Sequence, residues 1–547
     1  MPASTPATPN LVFIFVDDLG QGDVSCFNES AAWHTENIDR LAAQGMRFVD
    51  NHATSALCTP SRYGLLTGRY NWRSRLKKSV LPGDASALIE KDRLTLPAML
   101  KQCGYRTAAV GKWHLGMDWQ LLPGGSDYVR YGTTAEELPA AAERFGRSGN
   151  FDPDFQQPGE GLDIDFGKPV TWGPNDLGFD YFFGTAASLD QPPYVYIENR
   201  LAQGAPDHVG GDQAVLDRAT AAQQQGIQKG VMVSGYDVHQ VAGDMQARVL
   251  DLLDDFAESD EPFFLYYPTH LVHGPIIPDE PWQGSSGAGP YGDFVLQLDA
   301  YVGQIMDKLD ALGSAEDTIV IFTSDNGCSG VADVPHLRSL GHDPSNGFRG
   351  LKTDIWEGGH REPLVVRWAG QVEAGSVSTQ TVCHSDIFRT MAEIVGYELP
   401  GDAGEDSVSN LPLWQGGEVA VRTDLVNHSG GGGFAIRRGD WKLEMVTTGD
   451  GFATMMGQEQ TSYVPAQLYN LAADPAEETN LIDEQPELVA ELSEALANTS
   501  GPDGALRAPR RRTSATCRPD DGHRSAGCLT PRTSWRTPSD RLPLTGT

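Results

Sequence analysis

The chain has 547 residues, 39% of them hydrophobic, which is enough for a large buried core and too long for one ordinary domain. Lys and Arg number 41 against 74 Asp and Glu, a formal charge of −33. Such a surface repels nucleic acid and anionic membranes, so an anionic ligand must be drawn by a local cationic pocket.

No apolar run approaches the roughly 20 residues of a membrane span. Met1–Asn10 is small and polar with no basic residue, and the first buried strand starts at Leu11, so no signal peptide is legible. The expectation is a cytoplasmic protein, or a periplasmic or secreted one if a leader has been trimmed. Cys26, Cys58, Cys103, Cys328, Cys383, Cys517 and Cys528 are sparse, odd in number and without metal spacing, which is not the pattern of a disulfide framework.

Short apolar runs recur at Leu11–Val16, Thr107–Val110, Phe263–Tyr267, Thr318–Phe322 and Leu364–Val366. Continuous runs of this kind suit parallel strands covered on both faces. Asp237–Phe256 and Asp293–Leu312 carry helical periodicity between them. The expected fold is α/β, with a large, mostly parallel central sheet flanked by helices over residues 1–400. Residues 124–235 are rich in Gly, Pro, Asp and Gln and read as long loops over the sheet. From 401 to 500 the pattern changes. Phe434–Arg438 and Trp441–Val446 follow a glycine loop as antiparallel strands, and Pro486–Ala497 reads as a terminal helix, giving a smaller α+β domain. Residues 501–547 hold nine Arg against four Asp and no periodicity, which reads as a disordered basic tail.

Polar residues gather just past the strand ends, the edge where open α/β sheets bind ligands. Asp17 and Asp18 follow the first strand, Lys112 and His114 the second, His270 and His273 the third, and Asp325 and Asn326 the fourth. Asp17, Asp18, Asp325 and Asn326 offer only oxygen, which suits Ca²⁺ or Mg²⁺ better than zinc. In Cys58-Thr59-Pro60-Ser61-Arg62, Pro60 fits the first turn of a helix and puts Cys58 at its N-terminal mouth. That position favours an anion and lowers a thiol pKa, so a cysteine nucleophile is the generic reading.

The segment from Cys58 to Arg69 resembles the sulfatase signature, Cys-x-Pro-Ser-Arg followed by Thr-Gly. The resemblance runs over most of residues 9–485. It includes Val-Asp-Asp-Leu-Gly (16–20), Gly-Lys-Trp-His-Leu-Gly (111–116), His-Gly-Pro (273–275), Thr-Ser-Asp-Asn-Gly (323–327), Gly350-Leu351-Lys352 and Glu357-Gly358-Gly359. It implies a formylglycine-dependent sulfatase of the alkaline phosphatase superfamily, similar to arylsulfatases and carbohydrate sulfatases. Cys58 would be oxidised by a formylglycine-generating enzyme, and one hydroxyl of the hydrated aldehyde would attack the sulfate sulfur. Asp17, Asp18, Asp325, Asn326 and the converted Cys58 would hold the cation. Arg62 would pin the diol or the cation-ligand shell, Lys112 and Lys352 would neutralise sulfate, His114 would act as base on the second hydroxyl, and His273 as acid to the leaving oxygen or as a donor to sulfate.

Asp190 and Asn199, in a stretch resembling carbohydrate-directed sulfatases, would meet sugar hydroxyls or belong to a structural Pro-Pro turn, and His270 would bind substrate or cap its strand. His360 stands where the family usually has an apolar residue, with packing and substrate contact both open. Asp386 reads as a helix cap. The implied substrate is a small sulfated molecule or sugar, with no nucleic-acid or membrane partner. Two alternatives remain: a phosphonate or phosphodiester hydrolase of the same superfamily, and a non-catalytic sulfated-sugar binding protein if Cys58 is not converted.

Overall fold

Strands form where the apolar runs stand, because a chain buried on two faces can satisfy its backbone only through neighbouring strands. The computed structural model describes residues 8–123, 163–210, 228, 230–446, 449 and 466–500. The basic stretch 501–547, much of the proposed loop region (124–162 and 211–227), and Cys517 and Cys528 lie outside the described residues.

Among the described residues the large sheet has eleven strands. Across it run Ser376–Ser378, Met46–His52, Arg361–Arg367, Thr318–Ser324, Asn10–Val16, Phe263–Pro268, Arg106–Lys112, Tyr181–Thr185, Ile197–Glu198 and Leu201–Ala202, with Val382–Cys383 also pairing to Met46–His52. The strand Asn10–Val16 is central and parallel to both neighbours. Its alternate residues serve two cores. Val12, Ile14 and Val16 pack with the helices Val241–Ala257 and Pro290–Ala311, while Leu11, Phe13 and Phe15 face Cys58–Thr67, Leu96–Gln102 and Asp386–Ile394. A second sheet, Asp424–His428, Phe434–Arg438, Trp441–Glu444 and Gln467–Asn470, is wholly antiparallel. Its Leu425, Ile436, Leu443 and Leu468 bury against Leu492 and Leu496 of the helix Pro486–Ser500. Both sheets lie within one compact unit, Met1–Ala508. No helix among the described residues is long and apolar enough to cross a membrane.

Two expectations are corrected. The strand around Leu364–Val366 is antiparallel to both neighbours, because hydropathy reports burial on two faces and not direction. Tyr181–Thr185, in the stretch read as loops, is a strand parallel to Arg106–Lys112. The strand Met46–His52 escaped notice because its sequence, MRFVDNH, buries polar side chains at Asp50, Asn51 and His52.

Burial pushes two histidines below their usual range, His384 to about 3 and His428 to about 4. Unfolded histidine takes a proton near pH 6.5. Stability from these groups is therefore complete above that pH and is lost as pH falls toward the folded values. At pH 5 the loss is about 2 kcal/mol per histidine. Urea unfolding at pH 7.5 and pH 5 is expected to show a smaller drop in His384→Asn/His428→Asn than in the parent. Equal drops would refute the assignment.

Candidate functional site

The strand Asn10–Val16 delivers Asp17 and Asp18 to the carboxyl edge of the sheet. Asp17 N–H donates to Leu271 O at 2.9 Å and Asp325 N–H to Val16 O at 2.9 Å, which ties three strand ends together. Asp18 (φ 63°) and His114 (φ 54°) occupy the left-handed region, uncommon for residues with side chains and frequent at functional sites. Gly111 has φ 133°, and a Cβ there would stand 2.1 Å from Pro268 O. Only glycine lets this strand approach its neighbour so closely, and Lys112 follows directly.

Cys58 opens the helix Cys58–Thr67, with Leu57 as an extended N-cap and no capping side chain. Its first-turn amides and the positive end of the helix dipole therefore face the same edge. Every residue of this helix is buried.

Three carboxylates and three cations interlock around it. Arg62 donates from Nε and Nη2 to Asp325 Oδ2 at 3.0 and 2.7 Å. Lys112 Nζ donates to Asp17 Oδ2 at 2.6 Å, and Lys352 Nζ lies 2.7 Å from Asp18 Oδ1. Cys58 Sγ is 3.4 Å from Asp17 Oδ1. Asn326 Nδ2 donates to Asp18 Oδ1 at 2.8 Å. Burial works against ionising Asp17, but Lys112, His273 and Arg62 together hold its carboxyl well below the usual range. Burial and the neighbouring Asp17 charge push Asp325 up.

The Cys58 thiol runs opposite to the helix-mouth expectation. Burial, then the Asp325 carboxylate, push it well above the ordinary thiol value. A neutral buried thiol is a poor nucleophile.

Hydrogen bonding fixes where the imidazole protons sit. His114 Nε2 lies 2.8 Å from Leu81 O, a pure acceptor, so Nε2 carries the hydrogen and Nδ1 is bare. That Nδ1 is buried and has no partner among the described residues. Burial, then Lys112 and Arg62, push this imidazole well below its normal pKa. His270 Nε2 is 2.7 Å from Thr185 Oγ1, whose own hydrogen goes to Ala187 O at 2.7 Å. His270 Nε2 therefore donates and its Nδ1 is a free, buried acceptor. Burial takes His270 down to about 3. His273 Nδ1 contacts Gly274 O at 2.5 Å, which leaves Nε2 facing Asp18 Oδ2 at 3.6 Å.

The structure thus gathers Asp17, Asp18, Cys58, Arg62, Lys112, His114, His270, His273, Asp325, Asn326 and Lys352. Burial raises the Asp190 carboxyl, and the charges of His273, Lys112 and Lys352 act against that rise. Asn199 stands apart. It sits at φ 53° in a hairpin turn, and its Oδ1 accepts from Phe182 N–H at 3.1 Å and Asn175 Nδ2 at 3.3 Å. His360 also lies apart, fully buried, with Nδ1 3.0 Å from His52 Nδ1 and Nε2 2.8 Å from Ile355 O. Its side chain is packed in the interior. Asp386 is the first residue of its helix rather than the cap, and it holds Arg422 and the amides of Cys383 and Val408. Sequence reasoning missed Thr59, Leu81 and Thr185. These orient His114 and His270 through Thr59 Oγ1 to His114 O (2.9 Å), the Leu81 carbonyl and the Thr185 hydroxyl. A backbone carbonyl leaves no mark in sequence.

One donor atom each of Asp17, Asp18, Cys58 and His273 lie within 4.8 Å of one another. Asn326 Oδ1 is a buried oxygen without a partner among the described residues, as a cation ligand would be. Oxygen dominates once Asp325 is counted, which fits a hard divalent cation. His52, Glu357 and His360 form a second such group, but Lys442 (3.1 Å), Arg361 (3.2 Å) and Arg437 (3.5 Å) already surround Glu357 and would repel an ion.

The sulfatase family profile matches residues 9–397. The chain is 34% identical to an N-acetylgalactosamine-6-O-sulfatase of Bacteroides thetaiotaomicron, over 89% of this chain and 92% of that one. It is 30% identical to arylsulfatase A of Homo sapiens, over 96% and 95%. A solved structure from a study of glycosaminoglycan metabolism by Bacteroides thetaiotaomicron superposes with a TM-score of 0.74 at 31% identity, covering 90% of this chain and 99% of that one.

Breaking one ion pair should cost more than its own attraction. Arg62→Met leaves Asp325 buried beside Asp17 without its cation, and the expected loss is about 3–5 kcal/mol in chemical denaturation. A loss below 1 kcal/mol would show that the pairing is not needed for stability.

Proposed function

The chain belongs to the sulfatase family and is a sulfuric ester hydrolase, and from this premise we propose that it acts through a formylglycine made from Cys58. The observation that carries the reading is the placement of a buried, neutral thiol at an uncapped helix mouth, beside Asp17 and between two lysines. As a thiol it has little reactivity there. Hydrated as an aldehyde, the same position supplies a hydroxyl that attacks sulfate sulfur and a second hydroxyl that lets the ester product collapse.

The cation held by Asp17, Asp18, Asp325 and Asn326 would supply Lewis acidity to a sulfate oxygen, with Ca²⁺ favoured and Mg²⁺ the alternative. Conversion of Cys58 also replaces its sulfur by oxygen, which brings that position into line with the other hard ligands. Lys112 and Lys352 face the site as preorganised positive charges and neutralise the sulfate. Arg62 fixes the Asp325 carboxylate. The bare Nδ1 of His114 accepts the proton of the second hydroxyl, because Leu81 O keeps the other nitrogen protonated. His273 presents Nε2, the nitrogen not engaged by Gly274, and as the imidazolium would hand the departing oxygen the proton that Nε2 carries. The similarity to an N-acetylgalactosamine-6-O-sulfatase supports a sulfated sugar as substrate.

In protein produced together with a formylglycine-generating enzyme, the peptide holding Cys58 is expected to be about 18 Da lighter than the cysteine form. Cys58→Ala should reduce sulfate release to background. Turnover that survives this change sinks the nucleophile assignment, and an unmodified, inactive Cys58 in such protein favours a binding protein. Phosphonate monoester turnover far above that of p-nitrophenyl sulfate would favour the phosphonate hydrolase reading.

Removing divalent ions with EDTA is expected to lower Tm, and Ca²⁺ or Mg²⁺ should restore it. Zinc as the ion retained through purification would contradict the hard-cation argument.

A further inference from the structure

Regular structure places Arg62 and Lys112 at the site. Arg62 lies on the helix Cys58–Thr67, and Lys112 ends the strand Arg106–Lys112. Lys352 lies in neither a strand nor a helix. It belongs to a reverse turn closed by Asp354 N–H to Leu351 O at 2.9 Å. A lysine has a flexible four-carbon stem, so on a loop its ammonium is placed only as well as the main chain beneath it is tied down.

The ties come from outside the turn. Lys352 N–H donates to Cys328 O at 2.9 Å, which anchors the turn just past Asp325 and Asn326. The next residue, Thr353, is held on both sides. Its N–H donates to Ala56 O at 2.7 Å, and its carbonyl accepts from Gly430 N–H at 2.8 Å. The small sheet closes the ring. Ala56 N–H donates to His428 O at 2.9 Å, and Ser55 Oγ donates to the same carbonyl at 2.9 Å. The end of the strand Asp424–His428 and the loop after it therefore grip two segments at once: the one leading into Cys58 and the one leaving Lys352.

Thr353 sits at φ 78°, which a β-branched residue adopts only when its surroundings hold it there. Gly430 has no side chain where the segments meet. A Cβ there would stand 2.9 Å from Thr353 Cβ and 3.1 Å from Leu57 Cδ1. The leucine methyl can rotate away, but the threonine Cβ moves only with its main chain, so this close approach requires glycine. Leu57 directly precedes Cys58 and Thr353 directly follows Lys352. One position thus adjoins the neighbours of both groups.

We propose that Gly430, in the loop between the strands Asp424–His428 and Phe434–Arg438, is a positioning residue: through Thr353 it sets where the Lys352 ammonium stands relative to Cys58, so that the small sheet takes part in holding the sulfate group. This rests on the reading that Lys352 neutralises sulfate. It also gives the glycine-rich loop 429–433 a task in the active site beyond joining two strands.

The test is a double-mutant cycle on the full chain, read by calorimetry with inorganic sulfate in buffer containing Ca²⁺. Gly430→Ala is expected to weaken sulfate binding about 10-fold, and Lys352→Met at least as much. With Lys352 already replaced, Gly430→Ala should change the affinity less than about 2-fold, because the group it displaces is gone. The kcat/KM for p-nitrophenyl sulfate should follow the same pattern. One added methyl group is tolerated by a core of this size, and Tm reports that each variant is folded. Thr353→Gly frees the same backbone without adding volume, and its loss should depend on Lys352 in the same way. Equal losses from Gly430→Ala with and without Lys352 would show that the glycine acts by another route and overturn the proposal. Unchanged sulfate affinity in Gly430→Ala would overturn it as well. Lys352→Met protein that binds sulfate as the parent does would instead refute the sulfate role of Lys352, the reading underneath.

Discussion

The site depends on six buried charges that sum to zero. Asp17, Asp18 and Asp325 stand against Arg62, Lys112 and Lys352, each pair within 3 Å. Withdrawing one such ion from water costs several kcal/mol, and only near-ideal pairing offsets it. The strands and the helix mouth must therefore close on one another accurately before any of these residues can be buried. The same neutrality shapes what can enter. A divalent cation alone would add two uncompensated charges, and an ester monoanion alone would add one. Together they change the balance by a single positive charge, on the side that stabilises a departing alkoxide.

Proton placement follows from neighbours that have no chemistry of their own. Leu81 contributes only a carbonyl and Thr185 only a hydroxyl already committed to Ala187, yet they decide which nitrogen of His114 and His270 is bare. The two imidazoles stay neutral because burial and the adjacent lysine and arginine charges oppose protonation. His273, less buried, keeps its free nitrogen toward the side where an ester arrives.

A second charged network serves stability. Arg437 reaches from the small sheet to Asp50 of the large one at 2.7 Å, and Lys442 bridges Glu477 (2.7 Å) and Glu357 (3.1 Å). His52 and His360 are enclosed within it. It pins the antiparallel sheet beside the active edge, where Gly430 N–H meets Thr353 O at 2.8 Å, next to Lys352. An isolated polar residue in a motif, such as His360, carries no sign of which network it will join.

The sequence alone determined the order of the chemistry along the chain. Apolar runs marked the central strands, polar residues just beyond them marked the active edge, and Cys58 with Pro60 marked a helix mouth, because each is a local consequence of side-chain type and spacing. Direction was not local, and the strand Arg361–Arg367 turned out antiparallel inside the sheet. Nor was the Met46–His52 strand legible, since its polar residues are buried by partners hundreds of positions away. The tertiary structure alone decided the state of the groups: that the Cys58 thiol is raised by burial rather than lowered by its helix, that Asn199 turns into its own hairpin, and that His114 and His270 each have a defined bare nitrogen. Burial, charge proximity and the direction of a hydrogen bond depend on distances across the fold, and linear spacing does not encode them.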